Sequence, residues 1–255
     1  MSNMKKFLRT CANFVLGAIS VLAIWYIAYL IIDSHVLSNP FAALRAVPGL
    51  MEHNILTHAY HSAFRVFAAM LISMFIGLTV GICAAGKHLP ARILSPFLYF
   101  TYPIPRVALL PVVLLIFGLT DTSKIIMITL IVVYPIIVVV RDNVRAIPKQ
   151  TYNTLICYGA SKTQLFFYAT LPWAVSGILS TARITLGTAI SILFFTETYG
   201  GRHGMGFFIM DSWMRLNYVQ MYAGIIALSA AGFILFLLID VLESVLLKWR
   251  KVVDL

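Results

Sequence analysis

Apolar residues in this chain come in long unbroken runs, not in the alternation of a half-buried strand or the narrow stripe of a soluble amphipathic helix. Six runs stand out, at about residues 12–32, 62–86, 93–118, 124–140, 173–197 and 220–246. Charge nearly vanishes inside them. The windows 14–32, 125–140 and 221–239 contain no charged side chain, while 62–85 holds only Arg65, 93–120 only Arg106, and 173–196 only Arg183. About 20 mainly apolar residues in a helix cross a hydrocarbon layer ~30 Å thick. The pattern predicts an all-α integral membrane chain, one transmembrane domain over residues 1–255 with about six spans. The third run carries Pro96, Pro103, Pro105 and Pro111, so it reads as a kinked span or a span plus a re-entrant piece. Lys5, Lys6 and Arg9 ahead of the first run imitate a signal peptide. The run is too long for one and no small-x-small pattern follows Ile32, so it counts as the first span.

Composition agrees: 61% of residues are hydrophobic and 11% charged, against roughly 45–50% and about 25% in soluble domains. That excludes a soluble or disordered chain. Cys11, Cys83 and Cys157 are too few and scattered for a disulfide framework. The net charge of +10 reads as positive charge held at one membrane face, not as a nucleic-acid surface. With the N-terminus in the cytoplasm, twelve Lys and Arg fall on inner segments: Lys5, Lys6, Arg9, Lys87, Arg92, Arg141, Arg145, Lys149, Lys162, Lys248, Arg250 and Lys251. Four fall outside, Arg45, Lys124, Arg202 and Arg215. Both termini are therefore expected in the cytoplasm. The outer segment 33–61 has a Pro48-Gly49 turn and is too short for a receptor domain. No internal repeat is visible, so one chain supplies half of a two-fold assembly.

The inner loop 141–172 carries the strongest local signals. Pro148 suits the first turn of a helix and Gly159 its left-handed stop. Ser161 with Gln164 forms a capping box for a second helix, which Pro172 ends. The loop reads as helix, glycine break, helix, with Leu155, Ile156 and Tyr158 near the corner. Such a bent pair rests on lipid headgroups or docks on another protein.

This loop resembles the signature of ABC-importer permeases, in which an E-A-A triplet precedes a glycine and I-x-L-P follows nine residues later. Gly159 is followed, after nine residues, by Ala169-Thr170-Leu171-Pro172. Asn153, Thr154 and Leu155 occupy the triplet and Ala169 the isoleucine position. Further resemblances run in order along the chain. His58, Ser62 and Arg65 match a motif opening the second span. Residues 102–111, Tyr-Pro-Ile-Pro-Arg-Val-Ala-Leu-Leu-Pro, are similar to R-P-I-P-P-L-A-L-L-P. Residues 117–124, from Phe117-Gly118 to Ser123-Lys124, resemble W-F-G-I-G-E-x-S-K. Ala182-Arg183 to Gly187, and Glu197 with the glycine-rich stretch 200–206, resemble two more. Together they point to the nitrate/sulfonate/taurine branch of binding-protein-dependent permeases.

The resemblance implies a type I ABC-importer permease fold with a cytoplasmic coupling helix between spans 4 and 5, in the bacterial inner membrane. It implies two permease copies, a homodimer, above two ATPase subunits, with an extracytoplasmic solute-binding protein delivering a small anion. ATP and Mg would sit on the partner ATPases. This chain would bind no cofactor or metal and would be no enzyme itself. It also implies that Asn153, Thr154, Leu155, Tyr158, Gly159, Ala160, Ser161 and Lys162 transmit the ATPase's motion.

Four charges inside spans are costly in lipid, roughly 2.5–3.5 kcal/mol each at the centre, and should face protein or water. Arg65 and Glu197 lie near the same membrane face, as a structural pair or as a gate. Arg106, in the broken third run, is a candidate for lining an anion path, and Arg183 snorkels or braces the loop. Residues 81–87 spell G-x-x-x-x-G-K, but His88 follows instead of Ser or Thr and no strand precedes, so they are not a phosphate loop. Gly77 and Gly81 suit close helix packing. His53, His58 and His61 read as solvated interfacial histidines rather than a metal site. A secondary transporter or channel is the main alternative, but no inverted repeat favours it.

Overall fold

The fold comes from a computed structural model, which describes residues 2–86 and 89–246. Lys87, His88, Lys248, Trp249, Arg250 and Lys251 lie outside the described residues, as do the side chains of Lys5, Lys6, Arg9, Cys11 and His53. Among the described residues every regular element is helical. α1 (Ser2–Ile32) leads through α2 (Pro40–Ala46) and a 3-10 turn (Pro48–His53) to α3 (Ile55–Ala85). α4 (Leu89–Thr101) and α5 (Leu110–Phe117) follow, joined by a 3-10 turn (Arg106–Leu109). α6 (Asp121–Arg145) precedes α7 (Lys149–Cys157) and α8 (Lys162–Leu165). α8 continues through a π turn (Phe166–Thr170) into α9 (Leu171–Thr198), before α10 (Met205–Met214) and α11 (Tyr218–Leu246).

Four of these helices are long and apolar enough to cross a membrane: Ile55–Ala85, Asp121–Arg145, Lys162–Thr198 and Tyr218–Val245. The third run is a broken pair. Its arms Ala91–Thr101 and Arg106–Phe117 meet at 89°, because Pro103 and Pro105 have no N–H to continue the ladder. Pro111 starts α5 in its first turn, and Pro96 sits inside α4. The apolar part of α1 is the shorter Leu16–Ile32.

The core lies where α3, α6 and α9 meet. Ile128, Val132, Ile136 and Val140 recur every four residues on α6 and pack against Ala174, Ile178, Ala182 and Leu186 on α9 and Val66, Ala69 and Met70 on α3. In lipid, helices gain little from hiding apolar surface, so close backbone approach replaces it. Gly77 and Gly81 provide that approach, as their spacing predicts. A methyl group on Gly77 would overlap the Ile136 side chain, and one on Gly81 would lie 2.6 Å from Val140. A second cluster joins α10 to the segment before α3 through Leu50, Ile55, Met205, Phe208, Ile209 and Ala223. Elsewhere the helices present apolar side chains outward, as with Ile31 and Ile184, both 77% exposed.

Several local expectations change. Pro172 does not end a helix: the chain is helical without interruption over Lys162–Thr198. The Leu171 N–H reaches back five residues to the Phe166 carbonyl. This widened turn makes room for the Pro172 ring, which would clash with the carbonyl four residues back in an α-turn. The second loop helix is thus the extension of the fifth run, not a separate piece. Pro148 stands one residue before the helix, as its N-cap. Pro48 opens a 3-10 helix instead of a reverse turn. Lys124 is no loop residue but sits in the first turns of α6, 1% exposed.

Candidate functional site

Two places concentrate polar structure, at opposite ends of the continuous helix Lys162–Thr198. At its C-terminal end is a buried knot of charge. Arg65 on α3 is 2% exposed and Glu197 on α9 is 0% exposed. Arg65 Nη1 donates to Glu197 Oε1 at 2.5 Å and to the His203 carbonyl at 2.9 Å. Its Nε and Nη2 both donate to Asp121 Oδ1 on α6, at 2.9 and 2.5 Å. The planar guanidinium thereby bridges two carboxylates on two helices, which an ammonium could not do with the same geometry. Buried Lys124 lies within electrostatic reach of Arg65, Glu197 and Asp121. Two cations and two anions balance, which offsets the desolvation that makes buried charge costly.

The knot also organises α10. A helix begins with N–H groups that have no partner inside it. Here other helices supply the partners: Met205 N–H donates to Ser62 Oγ at 2.8 Å and Gly206 N–H to Glu197 Oε2 at 2.8 Å. Ser62 Oγ in turn donates to the Glu197 carboxylate, 2.8 and 2.9 Å from its two oxygens. Gly204 caps the helix with φ +139°, where a Cβ would also run into the Glu197 carboxylate. Only glycine fits there. His58 Nδ1 lies 3.1 Å from both the N and O of Gly204, and its ring stacks on Phe207. It is therefore docked rather than solvated. His61 stacks on His203, 5.1 Å between centroids. Among the described residues no group of three or more His, Cys, Asp or Glu is arranged to hold a metal.

At the other end is the elbow. α7 closes with a Schellman arrangement: Ala160 N–H donates to the Leu155 carbonyl at 3.0 Å and Gly159 N–H to Ile156 at 2.9 Å, with Gly159 at φ +78°. This is the left-handed stop its glycine predicts. Ser161 and Gln164 complete the expected capping box. α7 buries none of its residues. Ile156 is 55% and Tyr158 87% exposed. Asn153, Thr154, Gly159, Ser161 and Lys162 are exposed as well, and Leu155 and Ala160 half-buried. Tyr152 Oη, 3.0 Å from Thr170 Oγ1, ties α7 to the π turn.

The four charges singled out in the spans do not converge. Arg65 and Glu197 pair, as the structural reading predicts. Arg183 does not reach the loop; it binds Asp240 and Glu243 on α11, at 2.5 and 2.6 Å. Arg106 lies over the Tyr134 ring, 4.1 Å from its centroid. Asp121, Lys124, Ser62 and His203 join the charge knot as well, and all four lie within the quoted motifs. The structure shows why those motifs occur together: the stretches around Ser62, Asp121 and Glu197 meet in one knot.

The chain is thus a multi-span helical bundle braced at one end by a charge knot, with an uncovered helical elbow at the other. Residues 77–250 match the family of binding-protein-dependent transport system inner membrane components, and the chain belongs to it. Among its relatives, the taurine transport system permease protein TauC of Escherichia coli (strain K12) is 28% identical over 202 residues, 79% of this chain and 74% of the relative. The formylaminopyrimidine transport permease protein ThiX of Halalkalibacterium halodurans is 27% identical, over 91% of this chain and 93% of the relative. A solved structure described as inward-facing conformations of the MetNI methionine ABC transporter shares the fold, with TM-score 0.62 and 20% identity over 75% of this chain and 95% of that one. The chain is the transmembrane permease component of an ABC importer in the inner membrane. Such permeases work with ATPase subunits and a solute-binding protein, and the chain is not itself an enzyme.

Proposed function

We propose that this permease carries a small anion, of sulfonate, taurine or nitrate type, and is driven through its elbow. Two copies form the pathway over two ATPases, each chain crossing six times with both termini in the cytoplasm. ATP and Mg bind the ATPases; this chain holds no cofactor. The taurine-permease relative supports the anion, and so does Arg106, a guanidinium near the broken span with no carboxylate partner among the described residues. Residues 153–162 dock on the ATPase, with Gly159 as the bend.

The observation that carries the coupling role is the uncovered elbow. A rigidly capped corner presents Ile156 and Tyr158 to its surroundings with no residue of α7 buried. Exposed apolar side chains on so well defined a scaffold suit a protein partner. The test replaces Gly159, whose φ of +78° a β-branched residue resists. Gly159→Val leaves the permease–ATPase complex assembled but separates ATP hydrolysis from uptake in proteoliposomes. Normal uptake by this variant refutes the coupling role.

A further inference from the structure

Beside the bent pair α4–α5 lies an open cleft of about 520 Å³, lined in part by Ser95, Tyr99, Tyr102, Tyr134 and Arg141. That volume falls in the range of small-molecule sites, ~300–1,000 Å³. Its walls are fixed. Tyr134 Oη donates to the Leu98 carbonyl at 2.6 Å, and the Tyr102 and Tyr134 rings stand 5.5 Å apart.

Charge around the cleft is one-sided. Arg106 lies on Tyr134, and its only hydrogen bond to the described residues runs from Nη2 to the Thr101 carbonyl, at 3.1 Å. Arg145 on α6 stands behind the lining residue Ser95, with Nη2 3.3 Å from Ser95 Oγ and 2.9 Å from the Ala84 carbonyl. Neither has a carboxylate partner among the described residues. Arg141 has only its own neighbour Asp142, at 2.8 Å. The other arginines deep in the spans, Arg65 and Arg183, are each held by two acids. Arg141 in the lining, backed by Arg106 on Tyr134 and Arg145 on Ser95 and opposed only by Asp142, makes a positive cleft beside tyrosine rings, a site for an anion with a short or flat body.

We propose that this cleft is a cargo site within the permease, taking a small organic anion. The inference rests on the anion-import reading but can be tested apart from it. In a background with Cys11, Cys83 and Cys157 changed to Ser, Ser95→Cys is labelled in the permease–ATPase complex. The probes are an anionic 2-sulfonatoethyl and a cationic 2-trimethylammonioethyl methanethiosulfonate, with rates normalised to those at Thr163→Cys. We expect the anionic probe to be favoured by about a hundredfold, since one unit charge about 10 Å away at an effective dielectric of ~20 speeds the anionic probe about tenfold and slows the cationic one about tenfold. Arg145→Gln combined with Arg106→Gln removes most of this preference, and the corresponding double lysine variant keeps it. Equal rates for the two probes, or a preference unchanged in the double glutamine variant, overturn the cleft. Uptake of radiolabelled taurine tests the reading beneath it. If the wild-type complex imports taurine, Arg106→Gln raises KM at unchanged Vmax; an unchanged KM overturns the cleft alone. If the wild-type complex imports a neutral pyrimidine and not taurine, the anion reading fails and takes the cargo site with it, whereas a failed labelling test with taurine uptake intact overturns the cleft alone.

Discussion

Arg65 is shared between two carboxylates, and this makes a prediction about non-additivity. Glu197→Gln removes the fully buried anion of the set; the lost contacts are the Arg65 bond at 2.5 Å and the hydroxyl bond from Ser62 at 2.8 Å. Breaking a buried pair from one side costs about 3–5 kcal/mol, but Arg65 keeps Asp121, so the lower end applies. For a domain of this size about 3 kcal/mol corresponds to roughly 6–12 °C in melting temperature. Asp121→Asn alone costs less, about 1 kcal/mol, because that side chain is 43% exposed and Glu197 remains. The double variant leaves Arg65 and Lys124 buried with neither acid. Its loss should exceed the sum of the single losses by about 1–2 kcal/mol. Thermal unfolding in detergent, followed by retention of the monodisperse peak in size-exclusion chromatography, measures all three. A double variant no worse than the sum refutes the view that the two acids compensate one buried charge cluster.

Other substitutions probe separate features. Gly204→Ala, with its added methyl both at φ +139° and against the Glu197 carboxylate, should cost at least about 1–3 kcal/mol in the same unfolding assay. Gly81→Val should destabilise by about 1–3 kcal/mol through overpacking against Val140, whereas Gly187→Ala, with open space around it, should be close to neutral. Arg183→Gln leaves Asp240 and Glu243 without their cation inside the spans and should cost about 3 kcal/mol; a loss below about 1 kcal/mol would show that the bridge is solvated. Tyr158→Ala should leave the melting temperature of the isolated permease unchanged, because that ring is 87% exposed, while weakening ATPase co-purification.

The long apolar runs of α3, α6 and α11 were legible because lipid demands helical length and absence of charge. The elbow was legible because Gly159 and the Ser161–Gln164 pair act within a few residues of themselves. The route past Pro172 was not. A π turn depends on how Phe166 to Leu171 settle against the rest of the fold, and Ala169 is buried there. The charge knot was half legible. Arg65 and Glu197 stood out because each is isolated in an apolar run. Asp121 and Lys124 lie at a span's edge, where charge is unremarkable, and only the folded α6 brings them against Arg65. His58 was misjudged for a similar reason: its partner Gly204 is 146 positions away.

The π turn at Phe166–Thr170 keeps the helix continuous from elbow to knot. The helix Lys162–Thr198 has 37 residues and is therefore about 55 Å long. A rod of that length, rocked by about 5° about its middle, carries each end through about 2 Å. Hydrogen bonds around Glu197 of 2.5–2.9 Å do not survive such a displacement unless Arg65, Ser62 and the start of α10 travel along. Any see-saw motion begun at Ser161 must therefore be answered on the far side of the bilayer by the whole clasp moving as one block, or by its opening.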